Sequence, residues 1–137
     1  MADTMDGPRL HPVTRELAEG PNYAAMSTLL PSGQIQTHYI WVGTDGERLY
    51  VNTEPHRHKF KALERDPRVT LAIRDESDPY RFAEVRGRVV GTERGQAARD
   101  QIDELSRKYT GAPYPAEAVT SERVIVWIAP ERQFING

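Results

Sequence analysis

The sequence has no cysteine, no excess of basic residues, few aromatic residues and no long apolar run. Without cysteine, neither a disulfide nor a thiolate metal site can form. The 18 Lys and Arg residues are balanced by 20 Asp and Glu residues, giving a formal net charge of −2. General nucleic-acid-binding proteins usually carry a basic excess, and single-strand binders carry runs of aromatic stacking residues. We therefore expect no nucleic-acid partner.

The hydropathy of the chain also argues against a membrane protein. No apolar run approaches the ~20 residues of a membrane-spanning helix. The N-terminal stretch M-A-D-T-M-D-G-P is acidic and polar, unlike a secretory signal. We expect a cytoplasmic protein that forms one domain over residues 1–137, with residues 1–12 as a flexible N-terminal segment.

The order of apolar segments and turn residues predicts a mainly β chain with a few inserted helices. Alternating and apolar runs bounded by Gly, Pro and Asp predict six strands, at residues 23–30, 35–42, 48–53, 68–74, 80–91 and 123–129. Helical spacing of apolar residues predicts helices at 13–19 and 95–109, and a short one between Pro55 and Pro67. Tight turns between successive strands favour an antiparallel small closed or split barrel over a parallel α/β sheet.

The last predicted strand has apolar residues on both faces. It reads R-V-I-V-W-I-A from Arg123 to Ala129. A small domain has little material to bury both faces of a strand. We therefore expect a second subunit to cover one of them.

A basic cluster lies at the predicted start of the helix between Pro55 and Pro67. The segment reads T-E-P-H-R-H-K-F-K-A-L-E-R-D-P from residue 53. A helix N-terminus carries partial positive charge and unpaired N–H donors, so each cation there costs roughly 0.3–1 kcal/mol. A bound anion reverses this penalty, because amide donors and cationic side chains converge on it. The pattern predicts that Arg57, His58 and Lys59 bind a phosphate group.

A structural explanation of the same cluster stays open. Short exposed helices often carry charges that are not optimised, and Glu54 or another acid could neutralise the cations. The two interpretations differ in what faces the basic residues. One places a ligand there, and the other places an acidic side chain of the same chain.

Three motifs, taken in this order and spacing, resemble a known family. They are T-x5-K-x3-L-x2-D-P-R-V from Thr53 to Val69, V-R-G-R-V at 85–89, and R-K-Y-T-G-x-P-Y-P at 107–115. Together they resemble the flavin- and deazaflavin-binding split β-barrel family named for pyridoxamine 5′-phosphate oxidase. The third motif is similar to the actinobacterial deazaflavin-dependent branch.

The resemblance implies a six-stranded antiparallel split β-barrel with Greek-key topology and a few helices, known as the FMN-binding split barrel. It also implies a homodimer with cofactors in grooves at the subunit interface. In relatives, the cation pair at Arg57 and Lys59 contacts the cofactor phosphate, assisted by the hydroxyl of Thr53. Further cofactor contacts are implied on the second strand at Gln36, His38 and Tyr39, on the first at Ser27 and Thr28, and from the other subunit at Tyr80 and Arg81.

The function implied by this resemblance is hydride transfer between coenzyme F-420, a deazaflavin, and a small electron-poor organic substrate. FMN is the alternative cofactor, since it also presents a phosphate and a tricyclic ring. A carrier or sensor that binds a flavin, deazaflavin or haem without turnover is the alternative of another class. His38 and Tyr39 are candidate proton donors by position alone.

Other chemistries have less support in the sequence. His56 and His58 form an H-x-H pair that His38 could join, but no fourth ligand stands at a recognised spacing for zinc. We expect no metal. Ser27 and Ser106 lack the sequence context of a hydrolase nucleophile, and the acids of loop 75–78 are typical of a solvated turn.

Overall fold

A computed structural model describes residues 2–137 of the chain; Met1, the first residue of the predicted flexible segment, lies outside the described residues. The strands are β1 (Ala2–Asp6), β2 (Ala24–Leu29), β3 (Ile35–Ile40), β4 (Gly43–Thr44), β5 (Leu49–Thr53), β6 (Arg68–Asp75), β7 (Asp78–Arg94) and β8 (Val124–Asn136). The helices are α1 (Pro12–Glu19), α2 (His58–Arg65) and α3 (Gln96–Thr110), and a 3-10 turn follows at Ala116–Ala118.

All eight strands belong to one antiparallel sheet in the order β3-β2-β6-β7-β8-β5-β4, with β1 also paired to β8. The predicted mainly β, antiparallel fold is confirmed. Two strands exceed the six that were predicted, namely β1 and the two-residue β4. Residues 2–6 were expected to be flexible, but Ala2 pairs with Asn136 and Asp6 with Arg132.

The last strand is longer than predicted and continues past Pro130 to Asn136. A proline lacks the N–H that a strand interior needs. The predicted strand therefore ended at Ala129, before Pro130. The β7–β8 register shifts between Arg86 and Gly87, where Gly87 pairs with Pro130. A Cβ on Gly87 would lie 2.5 Å from the carbonyl oxygen of Ala129. Glycine therefore permits the close approach of the two long strands at this irregularity.

The core lies on the inner face of the sheet and is closed by α1 and α2. Inward-pointing residues of β6 alternate with outward ones, as the sequence pattern predicts. Val69, Leu71 and Ile73 are buried in the core cluster together with Phe60 and Leu63 of α2. Packing of these two α2 side chains fixes the helix so that its N-terminus follows directly from the end of β5.

Both faces of β8 are buried within the same chain. Val124, Val126 and Ile128 belong to the core cluster. Ile125, on the opposite face, is also buried and pairs with Asn52, whose side-chain amide donates to the Ala98 carbonyl of α3 at 2.9 Å. The helix α3 therefore covers the face that we assigned to a second subunit. That reason for expecting a partner was wrong, although a dimer remains a proposal on other grounds.

The helices of the described chain are short. Among residues 2–137, none combines the length and the apolar character that crossing a bilayer requires.

Candidate functional site

The start of α2 presents unsatisfied backbone N–H donors beside the basic cluster. Arg57 is the N-cap residue and its side chain makes no capping hydrogen bond; no acid lies in the first turn. The backbone N–H groups of His58 and Lys59 have no acceptor among residues 2–137. Thr53, the predicted hydroxyl contact, ends β5 just before this turn and is buried. This helix end therefore has the donors that an anion requires.

A buried acid does lie beside the basic cluster. Glu54 is only 4% exposed, and its Oε1 lies 3.1 Å from Nη2 of Arg57 and 3.4 Å from Nη1 of Arg123. The hydroxyl of Ser121 donates to the other oxygen, Oε2, at 2.5 Å. The Ser121 hydrogen bond, together with Arg57 and Arg123, holds the pKa of Glu54 below its ordinary value, against the effect of burial. The internal acid considered from the sequence is thus present.

One carboxylate does not balance this cluster, because Arg57, Arg123 and Lys59 are three cations. Lys59 is half-buried, and its ammonium has no hydrogen-bond acceptor and no carboxylate within 4 Å among residues 2–137. Burial, and then the charges of Arg57 and Arg123, lower the pKa of Lys59 below its ordinary value. The cluster carries an excess of two positive charges, a setting that attracts an anion.

The basic cluster opens into a groove of about 320 Å³, which we call the α2 groove. Its lining residues are Tyr23, Tyr39, Ile40, Trp41, Asn52, Lys59, Ile102, Tyr114 and Arg123. The Trp41 ring stacks on half-buried Tyr109 at 5.3 Å between centroids and meets Tyr114 edge-on at 6.3 Å. The groove therefore combines an aromatic wall with cations at one end, which suits a flat ring that carries an acidic group.

The residues predicted on β2 and β3 point to two different faces of the sheet. Thr28 pairs with Gln36, and both face the interior; Oε1 of Gln36 is buried without a hydrogen-bond partner among residues 2–137. His38 points to the same side as Gln36. Ser27 lies on the outer face, where its hydroxyl lies 2.8 Å from that of Thr37. Of the five predicted contacts on these strands, Tyr39 is the one that lines the α2 groove.

A second depression, of about 450 Å³, lies on the outer face of the sheet. It is lined by Tyr23, Ala25, Tyr39, Ala72, Arg74, Glu76, Pro79 and Phe82, so it shares two tyrosines with the α2 groove. Although this depression is larger, its Arg74 already faces Glu76 at 3.7 Å. The α2 groove, with its unbalanced cations, is the better anion site.

Tyr80 and Arg81 adjoin the outer depression rather than the α2 groove. Tyr80 is 79% exposed. Arg81 is bound within its own chain, to Glu16 at 2.8 Å and to Asp75 at 3.1 Å, and these two carboxylates raise its pKa. Within this chain, neither residue reaches the groove beside Lys59.

The histidines lie apart from any metal-binding group in the described part of the chain. His56 and His58 are exposed at the start of α2. Within residues 2–137, no three His, Cys, Asp or Glu side chains are grouped so that they could hold a metal ion.

Sequence reasoning missed Arg123, Asn52 and Tyr114 as site residues. Arg123 precedes an apolar strand, a position where a charge commonly marks only the strand's start. Tyr114 belongs to the R-K-Y-T-G-x-P-Y-P motif, but the motif alone does not show which ring faces the groove. The contact between Asn52 and Arg123 joins residues 71 positions apart, and this long-range pairing has no local signal.

Comparison with known proteins agrees with this fold. The family described as pyridoxamine 5′-phosphate oxidase matches residues 10–135. A solved structure described as an F-420 reductase is 27% identical, with a TM-score of 0.74, over 90% of this chain and 98% of that one. Among curated proteins there is no match to the chain.

Two further solved structures share the fold alone. A conserved hypothetical protein from Mycobacterium tuberculosis is 21% identical (TM-score 0.69; 90% of this chain, 81% of that one). General Stress Protein 26 from Bacillus anthracis is 17% identical (TM-score 0.66; 90% of this chain, 91% of that one). Because the family match spans nearly all of the sequence and agrees with the split-barrel fold, the chain belongs to the pyridoxamine 5′-phosphate oxidase family.

Proposed function

We propose that the chain is an oxidoreductase that binds coenzyme F-420 in the α2 groove and transfers hydride between it and a small electron-poor organic substrate. One observation carries the proposal. The half-buried ammonium of Lys59 lies without an acid partner among residues 2–137, beside the free N–H groups of α2 and at the mouth of an aromatic groove. Membership of the family, and the likeness to an F-420 reductase, support the cofactor class.

Different residues of the groove would bind the phosphate and the ring of such a cofactor. Lys59, Arg57 and the first N–H groups of α2 bind the phosphate, with Thr53 and His58 beside them. Trp41, Tyr39 and Tyr114 form a wall for the tricyclic ring and keep water from one side of it. A bound deazaflavin or flavin supplies the hydride chemistry, and the protein supplies orientation and a shaped, partly dry site.

β3 carries two candidate proton donors, His38 and Tyr39. Tyr39 lines the groove, whereas His38 is exposed on the opposite face of β3 and does not line it. Tyr39 is therefore the better placed of the two to hand a proton to a substrate in the groove. Its hydroxyl is solvent-accessible, so water could restore the proton.

We further propose that the protein is cytoplasmic, that two copies form a homodimer, and that Tyr80 and Arg81 of one copy approach the groove of the other. Tyr39 and Tyr80 are 82% and 79% exposed. Tyr39 lines the outer depression, and Tyr80 lies in the chain between two of its lining residues, Pro79 and Phe82. Exposed aromatic residues around a concave apolar surface are typical of an interface.

The binding site can be tested with Trp41 as an internal reporter. The sequence has two tryptophans, and Trp127 lies elsewhere, with its ring under Arg48 at 4.2 Å. In a Trp127→Phe background, F-420 or FMN in the groove should quench Trp41. Replacing both Arg57 and Lys59 by Ala should weaken binding by roughly 1.5–3 kcal/mol per charged contact.

The matched control is Lys61→Ala, which removes a cation from the exposed side of the same helix. It should leave both affinities unchanged. Equal affinity of the double variant and the parent would reject the phosphate site at α2. Parallel titrations with F-420 and FMN show which cofactor binds more tightly. Enones or quinones are then added to the protein with reduced cofactor; an enzyme consumes the reduced cofactor, whereas a carrier does not.

A further inference from the structure

Arg123 brings a third cation to the α2 groove from a distant part of the chain. We propose that Arg123 binds the phosphoryl group of the ligand from the groove side, together with Lys59, and that Glu54 and Asn52 position its guanidinium. This inference rests on the ligand site proposed above. It goes beyond that site because it assigns an anion contact at the start of β8, outside the helix.

Some N–H donors of the Arg123 guanidinium make no hydrogen bond. Its Nε donates to Oδ1 of Asn52 at 2.9 Å, and Nη2 donates to the Asn52 carbonyl at 3.4 Å. Nη1 lies 3.4 Å from Oε1 of Glu54 and makes no hydrogen bond among residues 2–137. A guanidinium carries five N–H donors, so three make no hydrogen bond, and Nη1 faces Glu54 only as an ion pair, in a residue that lines the groove.

The position of Arg123 is fixed before any ligand arrives. The residue is 8% exposed. Asn52, its main acceptor, is itself held by α3, because its amide donates to the Ala98 carbonyl at 2.9 Å and to Gln101 at 3.3 Å. The ring of Tyr114 covers the guanidinium at 5.4 Å. Little side-chain freedom is left to lose on binding, which favours a specific contact.

The charges around Glu54 indicate what this contact would bind. Arg57 and Arg123 share the same carboxylate oxygen, Oε1, and Lys59 adds a third positive charge. Burial lowers the pKa of Arg123, so its charge is held where water compensates it poorly. A phosphoryl group carries one negative charge as a diester, as in F-420, and about two as a monoester, as in FMN, near neutral pH. Either form is attracted to the excess of two positive charges on the cluster. The ligand class is therefore an organic phosphate.

Inorganic phosphate tests this contact without any cofactor. Thermal unfolding of the whole protein in phosphate is compared with unfolding in chloride at equal ionic strength. A ligand that binds the folded state raises the midpoint, so phosphate should stabilise the wild type. Arg123→Met should lose most of this shift. Arg15→Met, which removes the same charge from an exposed ion pair with Glu19, should keep it.

The contribution to cofactor binding is measured with FMN and riboflavin, which differ only in the phosphate. Arg123→Met should weaken FMN binding by about tenfold, the loss of one charge-assisted contact of ~1.4 kcal/mol, and leave riboflavin binding unchanged. If Arg123→Met does not fold, the arginine side-chain signals of the wild type are followed by NMR during a phosphate titration. The signal that is missing in Arg123→Lys should then shift.

The outcomes separate this inference from the proposed function. A phosphate response that Arg123→Met retains in full, or an Arg123 signal that does not move, overturns the inference while the site at Arg57 and Lys59 stands. A wild type that does not respond to phosphate overturns it as well. A response that depends on Arg123, in a protein that binds neither F-420 nor FMN, supports the inference and removes the proposed function.

Discussion

Glu54 is the residue whose ionisation links the stability of the fold to the geometry of the site. The Ser121 hydrogen bond and two arginines hold its pKa below the ordinary value of a glutamate. A carboxylate with a depressed pKa adds stability at pH values above its unfolded-state pKa, about 4.3. That stability is lost as the pH falls through the lower, folded-state pKa.

We therefore expect Glu54→Gln to be less stable than the wild type by about 1–3 kcal/mol near neutral pH. The difference should shrink as the pH falls below about 4.3, because the unfolded chain then binds a proton at Glu54 more readily than the folded protein does. Urea unfolding over a pH series measures both. Glu64→Gln, which changes an exposed acid on α2, is the control. Its free energy of unfolding should follow that of the wild type over the whole pH series. A constant difference for Glu54→Gln at all pH values would contradict the role assigned to its charge.

The residues of the site were predicted as far as local charge patterns reach. Arg57 and Lys59 stand out in the sequence because they oppose the polarity of a helix. The sequence also offered Glu54 as a neutralising acid, and the structure contains this pairing together with an excess of cations. Arg123 gave no signal, since its partners Asn52 and Glu54 meet it only through the pairing of β5 with β8.

At the scale of elements, alternation identified the strands that bury one face. The prediction failed where burial leaves no pattern. β1 reads A-D-T-M-D and is largely exposed, so no apolar alternation marks its pairing with β8. Residues 131–136 of β8 follow Pro130, and a register shift accommodates this proline. The helix α3 was predicted as an amphipathic element, but its amphipathic stripe does not reveal which strand it covers.

Lys108 joins three elements at the end of α3. Its Nζ donates to the Ala18 carbonyl at the end of α1, at 2.8 Å, and to the Val42 carbonyl after β3, at 2.5 Å. The next residue, Tyr109, donates its hydroxyl to the Asn22 carbonyl at 2.7 Å. The K-Y pair of the R-K-Y-T-G motif therefore satisfies carbonyl groups where α1, β2 and β3 meet. This accounts for the motif structurally.

Burial lowers the pKa of Lys108 to about 8. Between pH ~8 and its ordinary value near 10.4, the unfolded chain binds more protons at this residue than the folded chain. The contribution of Lys108 to stability should therefore grow as the pH rises, by up to ~1.4 kcal/mol per pH unit. Comparing urea unfolding of the wild type and Lys108→Met at pH 7, 8.5 and 10 tests this.

The comparison cancels the ionisation of Tyr109, whose pKa burial raises to about 12, since both proteins contain this residue. We expect the stability of the wild type relative to Lys108→Met to increase with pH over this range. A flat difference would show that the two carbonyl acceptors keep the ammonium charged as readily as water does.

At the scale of the whole molecule, the sequence predicted the right fold but named the wrong cover for the last strand. The family resemblance covered nearly the whole chain, and the split barrel is confirmed. The apolar last strand was assigned to a subunit interface, but α3 of the same chain buries its second face. A strand pattern reports that a face is covered and does not report which element covers it.

The surface that we propose as the dimer interface is the outer face of β2, β3, β6 and β7. Ala25 and Ala72 form the floor of the outer depression, and Tyr39, Tyr23 and Phe82 form its walls. We expect sedimentation to show a dimer at micromolar concentration. Ala72→Arg places a charge on the floor of this surface and should yield a folded monomer.

Ala97→Arg, at an exposed position on α3, is the matched control and should remain a dimer. If the partner subunit contributes Tyr80 and Arg81 to the groove, the Ala72→Arg monomer should also bind F-420 or FMN more weakly than the control. A wild type that stays monomeric would remove the partner from the site. A monomeric Ala72→Arg with full affinity would instead show that one chain holds the cofactor alone, through Arg57, Lys59 and the aromatic wall.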